Sequence, residues 1–304
     1  MTTVRIGVTE DRGGVLDLLR TALAEEAGDD VVGLEHLLWG DPHRDLSVVA
    51  ERDGELVGAA SGTVAERDGT RRAYVTVVAV ADGHRRHGLG RHLLSALEDA
   101  VLARGATSIQ AGGSAPRYWW PGVDTADRDA SAFFEGCGYA RPDDAVATNL
   151  DVDLAAHRDL VRVPPPAQVP MRRLTAEEWP AFEAWMRETW GDTWASEAGA
   201  ALRRRPVSCF VAVEDQTYLG FAAYDTNRAG WFGPMGSSPA ERGRGVGSAL
   251  LRACLSSYLD AGRTDCEIAW VGPVDFYART VGAVPGRTFA ALRKPLTPAA
   301  DASA

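Results

Sequence analysis

Apolar residues recur along this chain in two patterns, one with helical spacing and one with the alternation of strands. A predicted strand at 4–8 precedes a stretch in which Val15, Leu18, Leu19 and Ala22 share one helical face. The chain is therefore predicted to open with a strand followed by an amphipathic helix.

Strands separated by glycine-containing turns follow this helix. The apolar runs occupy 46–51, 55–64 and 71–80. The dipeptide Asp53-Gly54 between the first two runs is typical of a two-residue hairpin turn. A similar turn at Asp68-Gly69 precedes the third run. We therefore predict three antiparallel strands in this region.

The remaining elements of the first half recur in the second half in the same order. In the first half, helices are predicted at 92–104 and 130–135 and strands at 107–111 and 148–154. In the second half, strands are predicted at 171–174, 208–213, 218–224, 231–236 and 265–271, with a helix at 247–261. This order predicts an α/β protein of two consecutive domains, each an α+β arrangement in which helices flank a mixed, mostly antiparallel sheet.

A proline run marks the predicted boundary between the halves. Pro164, Pro165 and Pro166 are consecutive, and proline fixes φ and removes a backbone donor. The predicted division is an N-terminal domain at 1–160, a linker at 161–170, a C-terminal domain at 171–297 and a flexible tail at 298–304.

Composition narrows the possible functions. The chain is 45% hydrophobic and 24% charged, which is typical of a globular protein, and no apolar run approaches the ~20 residues that span a bilayer. With no signal peptide at its start, we expect a cytoplasmic protein without a membrane partner. The net charge of −10 argues against nucleic-acid binding. The cysteines lack the paired spacing of a zinc site, so we expect reduced thiols and no metal.

Two glycine-rich segments carry the candidate chemistry. Each follows an apolar strand, precedes an amphipathic helix and fits the pattern Arg-x-x-Gly-x-Gly, at 85–90 and at 242–247. Glycine lets the backbone approach a ligand closely, and a helix N-terminus attracts anions. The segments therefore predict sites for a phosphate-containing ligand. They lack the Gly-Lys-Ser/Thr of a P-loop and the Gly-x-Gly-x-x-Gly order of a dinucleotide site.

The repeated motif resembles the acyl-CoA pyrophosphate loop of the GNAT N-acetyltransferase superfamily, and the duplicated layout resembles a tandem GNAT protein. The resemblance implies acetyl-CoA as co-substrate and a primary amine of a small molecule as acceptor. It also implies backbone contacts with the pantetheine arm and with the pyrophosphate. The implied donor-binding residues are Val78, Val80, Arg85, Arg86, Gly88 and Gly90 in the first half, and Met235, Ser237, Arg242, Gly243, Arg244, Gly245, Val246 and Gly247 in the second.

The family commonly places its general acid, a tyrosine, in a Phe-Tyr pair at the start of the last helix. Tyr277 follows Phe276 in the second half, whereas the first half has Phe134 at the matching place. A phenol can donate a proton to a thiolate and phenylalanine cannot, so the second half is predicted to be catalytic. Glu267 is a candidate base for the amine, with Asp225 as the alternative.

The aromatic and acidic segment at 117–129 suggests an acceptor. Tryptophan rings stack on apolar sugar faces and carboxylates attract ammonium groups, so an amino sugar is one hypothesis, while packing between the two domains is the other. Together with the segment 268–273, the loop resembles tandem GNAT proteins that include glucosamine N-acetyltransferases. A mycothiol synthase-like enzyme and a non-catalytic acyl-CoA-binding protein remain as alternatives. The identity of the amine and the oligomeric state are not predicted.

Overall fold

The computed structural model describes residues 1–67, 69–164, 170–241 and 243–297, with only the backbone of Ala27. The described chain forms two compact units. The first comprises Met1–Val146 together with the segment that begins at Phe289, and the second comprises Ala147–Thr288.

Strands and helices alternate along both units. In chain order, the strands are β1 (Thr2–Ile6), β2 (Asp45–Arg52), β3 (Glu55–Arg67), β4 (Thr70–Val80), β5 (Ser108–Ala111), β6 (Val123–Asp124), β7 (Val146–Asp153), β8 (Met171–Arg173), β9 (Cys209–Glu214), β10 (Thr217–Tyr224), β11 (Trp231–Ser237), β12 (Asp265–Ile268), β13 (Val284–Ala290) and β14 (Leu292–Pro295). The α-helices are α1 (Arg12–Ala22), α2 (Ala24–Ala27), α3 (Val31–Trp39), α4 (Leu89–Ala103), α5 (Arg128–Gly136), α6 (Arg158–Val161), α7 (Trp179–Trp190), α8 (Asp192–Gly199), α9 (Val246–Asp260) and α10 (Val274–Val281).

The first unit is built on a sheet of order β1-β2-β3-β4-β5-β14. Only β4 and β5 pair in parallel; the other neighbours are antiparallel. The hairpin between β2 and β3 is confirmed, and both of its turn residues, Asp53 and Gly54, have positive φ. Successive side chains of a strand point to opposite faces. Val48 therefore joins a core with α4, and Val49 joins a second core with α1 and α3.

The second unit repeats this plan, with the order β13-β7-β12-β11-β10-β9-β8 within an eight-stranded sheet. As in the first unit, one neighbouring pair, β11 and β12, is parallel. Ala222 of β10 is buried in a core with α9, while its neighbour Phe221 is buried in a core with α7 and α8. The predicted fold class, two mixed sheets flanked by helices, is thus confirmed.

The division into units differs from the predicted domain bounds 1–160 and 171–297. The strand predicted at 148–154 forms as β7, but it pairs with β12 in the second unit, and β14 from the C-terminal end pairs with β5 in the first. Leu150 and Val152 of β7 are buried in the second unit's core, which explains the placement of the strand. Strands β13 and β14 were not predicted.

Two predicted segments fall partly or wholly beyond this description. Residues 165–169 of the predicted linker and the predicted tail at 298–304 lie outside the described residues. Within the described residues, no helix is both long enough and apolar enough to cross a membrane.

Candidate active site

In the first unit, β4 and β5 separate toward the glycine-rich segment. Their parallel pairing covers Arg72 to Val75 of β4, and one further bond runs from the Gly112 amide to the Val75 carbonyl at 3.0 Å. Gly112 and Gly113 then have φ of 68° and 74°, and the chain leaves β4 at this left-handed turn. Strand β4 continues to Val80, so a gap opens beside its last residues.

The second unit has the same gap between β11 and β12. The parallel pairing covers Trp231 and Phe232, and the Ala269 amide bonds to the Phe232 carbonyl at 3.3 Å. Strand β11 continues to Ser237 without a β12 partner among the described residues.

The four strand residues predicted to contact the donor have backbone groups that face these gaps. The Ala81 amide bonds to β3, and the Ser238 amide bonds to Leu219 of β10. Backbone groups alternate in direction along a strand, so Val78 and Val80 face the first gap. By the same alternation, Met235 and Ser237 face the second. The Val80 carbonyl already accepts a bond from Arg85 Nε at 2.8 Å.

Both glycine-rich segments end in a helix that begins directly after a left-handed glycine. Gly88 has φ 82° before α4, and Gly245 has φ 80° before α9. Two residues earlier, Arg86 and Gly243 also have positive φ, 65° and 83°. The first N–H groups of each helix have no acceptor within the helix, so the two segments present equivalent anion-binding backbones.

One arginine of each segment has carboxylate partners. Arg85 lies 2.9 Å from Asp82, and Arg244 lies 2.5 Å from Glu241 and 3.2 Å from Glu214. The Arg85–Asp82 and Arg244–Glu214 pairs are exposed and therefore weak, whereas the Glu241 side chain is only 12% exposed. Arg242, which was also predicted to bind the donor, lies outside the described residues.

The second glycine of each helix start packs against an aromatic ring. A Cβ on Gly90 would lie 3.4 Å from Phe133 Cε2, and one on Gly247 would lie 3.7 Å from Phe276 Cζ. Because the two contacts are equivalent, Phe133 and Phe276 occupy matching positions. Tyr277 therefore matches Phe134, as the sequence motif predicts.

Tyr277 lies in apolar surroundings close to the gap strand. Its side chain is 7% exposed, and its ring centroid lies 6.3 Å from that of Phe232 in β11. Burial alone raises the pKa of Tyr277 to about 12. The hydroxyl therefore keeps its proton at neutral pH, which is the state that a general acid requires.

Glu267, the predicted base, lies on the other face of the sheet. Its neighbour Ile268 is in the same core as Tyr277, and alternation directs the Glu267 side chain away from that core. Both carboxylate oxygens accept bonds from neutral donors, Asn149 Nδ2 at 2.7 Å and Trp231 Nε1 at 2.6 Å. The structure therefore does not bring Glu267 into contact with Tyr277.

Asp225, the alternative base, is also occupied. Its Oδ1 accepts bonds from the Tyr258 hydroxyl and from the Gly230 amide, both at 2.6 Å. Burial raises the pKa of Asp225. Both bonds connect segments of the second unit, so they give Asp225 a structural role.

The aromatic segment at 117–122 contributes to the first unit's core. Trp119 is 1% exposed and packs among residues of α1 and α3. Arg117 forms a buried bidentate ion pair with Asp45, with nitrogen–oxygen distances of 2.5 and 2.7 Å. The Trp119 ring is therefore part of the first unit's own core and is not an open surface for stacking a sugar.

A cavity of about 560 Å³ lies in the second unit away from the glycine-rich segment. Its lining includes Trp231 at the start of β11 and Asp265 at the start of β12. The gap lies at the opposite ends of these strands, so the cavity does not belong to the candidate donor site.

A comparison with protein-family models matches residues 14–139 and 171–282 to the acetyltransferase (GNAT) family. The matched residues cover most of the chain, with one match for each glycine-rich segment. The chain belongs to the GNAT acetyltransferase family. A comparison with curated proteins found none that matches.

Solved structures agree with the tandem GNAT fold. A tandem GNAT protein from the clavulanic acid biosynthesis pathway matches with a TM-score of 0.74 at 20% identity, covering 99% of this chain and 100% of that one. A GNAT protein from Sphaerobacter thermophilus matches with a TM-score of 0.60 at 19% identity, covering 99% and 97%.

A third structure belongs to a larger protein. It contains a glucosamine N-acetyltransferase region of a fungal multi-domain β-N-acetylglucosaminidase, and it matches with a TM-score of 0.70 at 19% identity. The match covers 97% of this chain, which spans 38% of the fungal chain. At these identities, the three likenesses establish the fold.

Sequence reasoning did not single out one residue with an unusual backbone beside the second gap. Trp270 directly follows the last bond between β12 and β11 and has φ 46°, which is rare for a bulky side chain. An aligned comparison of the two gaps could have indicated it, since glycine stands at the matching place in the first unit.

Proposed function

We propose that this protein is an acetyl-CoA-dependent N-acetyltransferase that acetylates a primary amine of a small molecule, and that its second unit carries the chemistry. The observation behind this proposal is the buried Tyr277, which lies beside the gap strand at the position that Phe134 occupies in the first unit. Both units have the gap and the glycine-rich helix start, but Tyr277 has a proton to donate and Phe134 does not.

The second unit's residues fit the donor. Left-handed Gly243 and Gly245 and the free N–H groups at the start of α9 would hold the pyrophosphate. The backbone of Met235 and Ser237 faces the gap and would bind the pantetheine arm. When bound, acetyl-CoA supplies the acetyl thioester. Tyr277 holds its proton at Oη, ready for the leaving sulfur.

Glu267 remains the predicted base, the group that would deprotonate the amine. Each Glu267 oxygen accepts one bond, from Asn149 or from Trp231, and keeps a second lone pair that could take a proton. A base role predicts that Glu267→Gln lowers kcat and removes the acidic limb of its pH profile.

We propose amino sugars as the first acceptors to test. Support comes from the likeness to the fungal glucosamine N-acetyltransferase region and from the sequence resemblance that the segments at 117–122 and 268–273 carry together, whereas the buried Trp119 ring adds no stacking surface. A panel should also include the cysteinyl amine of a mycothiol precursor and simple aliphatic amines.

Calorimetric titration with acetyl-CoA, paired with thiol release on the amine panel, tests the proposal. Gly245→Glu places a negative charge at the start of α9 and should abolish turnover, while Gly88→Glu in the first unit should leave it intact. Gly262→Glu is the matched control, because Gly262 is also left-handed, with φ 79°, and nothing lies within 4 Å of its Cβ position.

Two results would contradict the proposal. If Gly88→Glu abolished turnover and Gly245→Glu did not, the chemistry would belong to the first unit. If the wild type bound acetyl-CoA but released no thiol with any amine, a non-catalytic binding protein would replace the enzyme.

A further inference from the structure

Trp270 occupies a backbone conformation that its side chain disfavours. Its φ is 46°, in the left-handed region where a bulky residue is a genuine outlier. The side chain is nevertheless 43% exposed, so burial of the indole in a core does not account for the conformation. Such outliers persist only where surrounding structure fixes them, and they cluster at ligand sites.

The first unit has glycine at the equivalent position. The last bond across each gap runs from Gly112 to Val75 in the first unit and from Ala269 to Phe232 in the second. The next residue is Gly113, with φ 74°, in the first unit and Trp270 in the second. The turn itself therefore requires only a left-handed residue. The unit with the phenol has a tryptophan there, and the unit without it has glycine.

A chain of hydrogen bonds fixes the Trp270 backbone. The Trp270 amide donates to Asn149 Oδ1 at 2.7 Å, and Asn149 Nδ2 donates to Glu267 Oε1 at 2.7 Å. The second oxygen of Glu267 accepts the Trp231 indole N–H at 2.6 Å. Asn149 is 0% exposed, so these hydrogen bonds take the place of the ones that its side chain makes to water in the unfolded chain. The chain thus connects the paired part of β11 to the first residue beyond the pairing.

We propose that Trp270 determines acceptor specificity by contacting the body of the amine substrate, and that Asn149 and Glu267 are positioning residues that hold it. This inference rests on the proposed function. Trp270 lies where β12 leaves β11, seven positions before Tyr277 in the sequence. An exposed indole face suits an amine carried on a ring with an apolar face, such as a hexosamine.

The decisive variant is Trp270→Gly, which gives the second unit the first unit's residue. Glycine adopts this φ freely, so thermal stability should stay the same or rise. The KM for glucosamine should rise by about tenfold or more, the loss expected when a substrate contact is removed. The KM for acetyl-CoA should stay unchanged, as should the kcat/KM for 2-aminoethanol, which has no ring to contact.

Gln216→Gly is the matched control. Gln216 lies in the turn between β9 and β10 of the same unit, is exposed and has φ 63°. This variant relieves the same backbone conformation without touching the gap, so every KM should match the wild type. An unchanged glucosamine KM in Trp270→Gly would overturn the proposal, as would a loss of stability, because tryptophan would then have a structural role.

Glu267→Gln separates positioning from base catalysis. A positioning role predicts a raised glucosamine KM, an unchanged pH profile of kcat and faster hydrogen exchange of the Trp270 amide. If Glu267→Gln instead lost the acidic limb of the pH profile of kcat, Glu267 would be the base. If the wild type turned over no amine, the proposed function would fail. The exchange measurement would still decide on the hydrogen-bond chain, and unchanged protection in Glu267→Gln would refute it.

Discussion

Tyr277 and Phe134 occupy matching positions and differ by one hydroxyl, so the hydroxyl can be tested directly. Tyr277→Phe keeps the ring that packs near Phe232 and removes the proton. We expect kcat to fall by about 10²-fold or more, the usual contribution of a general acid, with an unchanged Kd for acetyl-CoA. Stopped-flow thiol release and calorimetry measure the two quantities. A kcat within a factor of about two of the wild type would assign proton transfer to water or to another residue.

The raised pKa of Tyr277 also predicts how stability depends on pH. The pKa rises from 10.0 to about 12 on burial, so the unfolded chain releases this proton first as pH increases. Stability linked to Tyr277 is therefore complete below pH 10 and is lost as pH rises toward 12. The free energy of unfolding of the wild type should fall by up to about 3 kcal/mol more than that of Tyr277→Phe across this range. Urea unfolding at both ends of the range measures the difference, and equal losses would contradict it.

The residue-level part of the site was predictable only where local sequence determines it. The glycines of both segments follow from a motif, because a left-handed helix start requires residues without a Cβ. The φ of Trp270 and the partners of Glu267 depend on Asn149, which is distant in sequence and belongs to a strand assigned to the other domain. No local pattern carries that information.

Gly247 in the first turn of α9 packs against the core and is also a predicted donor-binding residue. A Cβ there would lie 3.5 Å from Met235 Cε and 3.7 Å from Phe276 Cζ, which is ordinary contact, so alanine fits the fold. Gly247→Ala should not lower the melting temperature, since alanine favours helix over glycine by up to about 1 kcal/mol. The Kd for acetyl-CoA should rise by about tenfold, because the methyl group crowds the phosphates at the helix start.

Gly13→Ala is the control for this helix variant. Gly13 lies in α1 of the first unit, and nothing is within 4 Å of its Cβ position. This change should raise stability without altering the affinity. Equal acetyl-CoA affinity in Gly247→Ala and the wild type would show that the ligand does not approach the start of α9.

At the scale of elements, sequence predicted the parts that neighbouring residues determine. The hairpin of β2 and β3 follows from Asp53-Gly54 and two alternating runs, and the helices follow from their apolar faces. Strands β7 and β14 pair with partners far along the chain, and neither local pattern says which sheet the strand joins. Their assignment depends on long-range pairing, and so the domain boundary was placed differently from the unit boundary.

At the scale of the whole molecule, the exchange of β7 and β14 predicts which fragments fold. A fragment of residues 171–297 follows the predicted domain but lacks β7, so one edge of β12 has no partner. It also lacks Leu150 and Val152, which are fully buried in the second unit's core. Removing two such side chains costs about 1.5–3 kcal/mol each, a large share of a domain's stability of about 5–15 kcal/mol. A fragment of residues 146–297 retains the strand and both side chains. We expect the longer fragment to melt cooperatively by circular dichroism and the shorter one to aggregate or melt without a transition.

The variant Leu150→Asp in the longer fragment should reproduce the defect, because the strand is present but its buried contact is lost. Cooperative melting of 171–297 at the same temperature as 146–297 would mean that β7 contributes nothing to the second unit, and the predicted boundary at 171 would then describe the folding unit better.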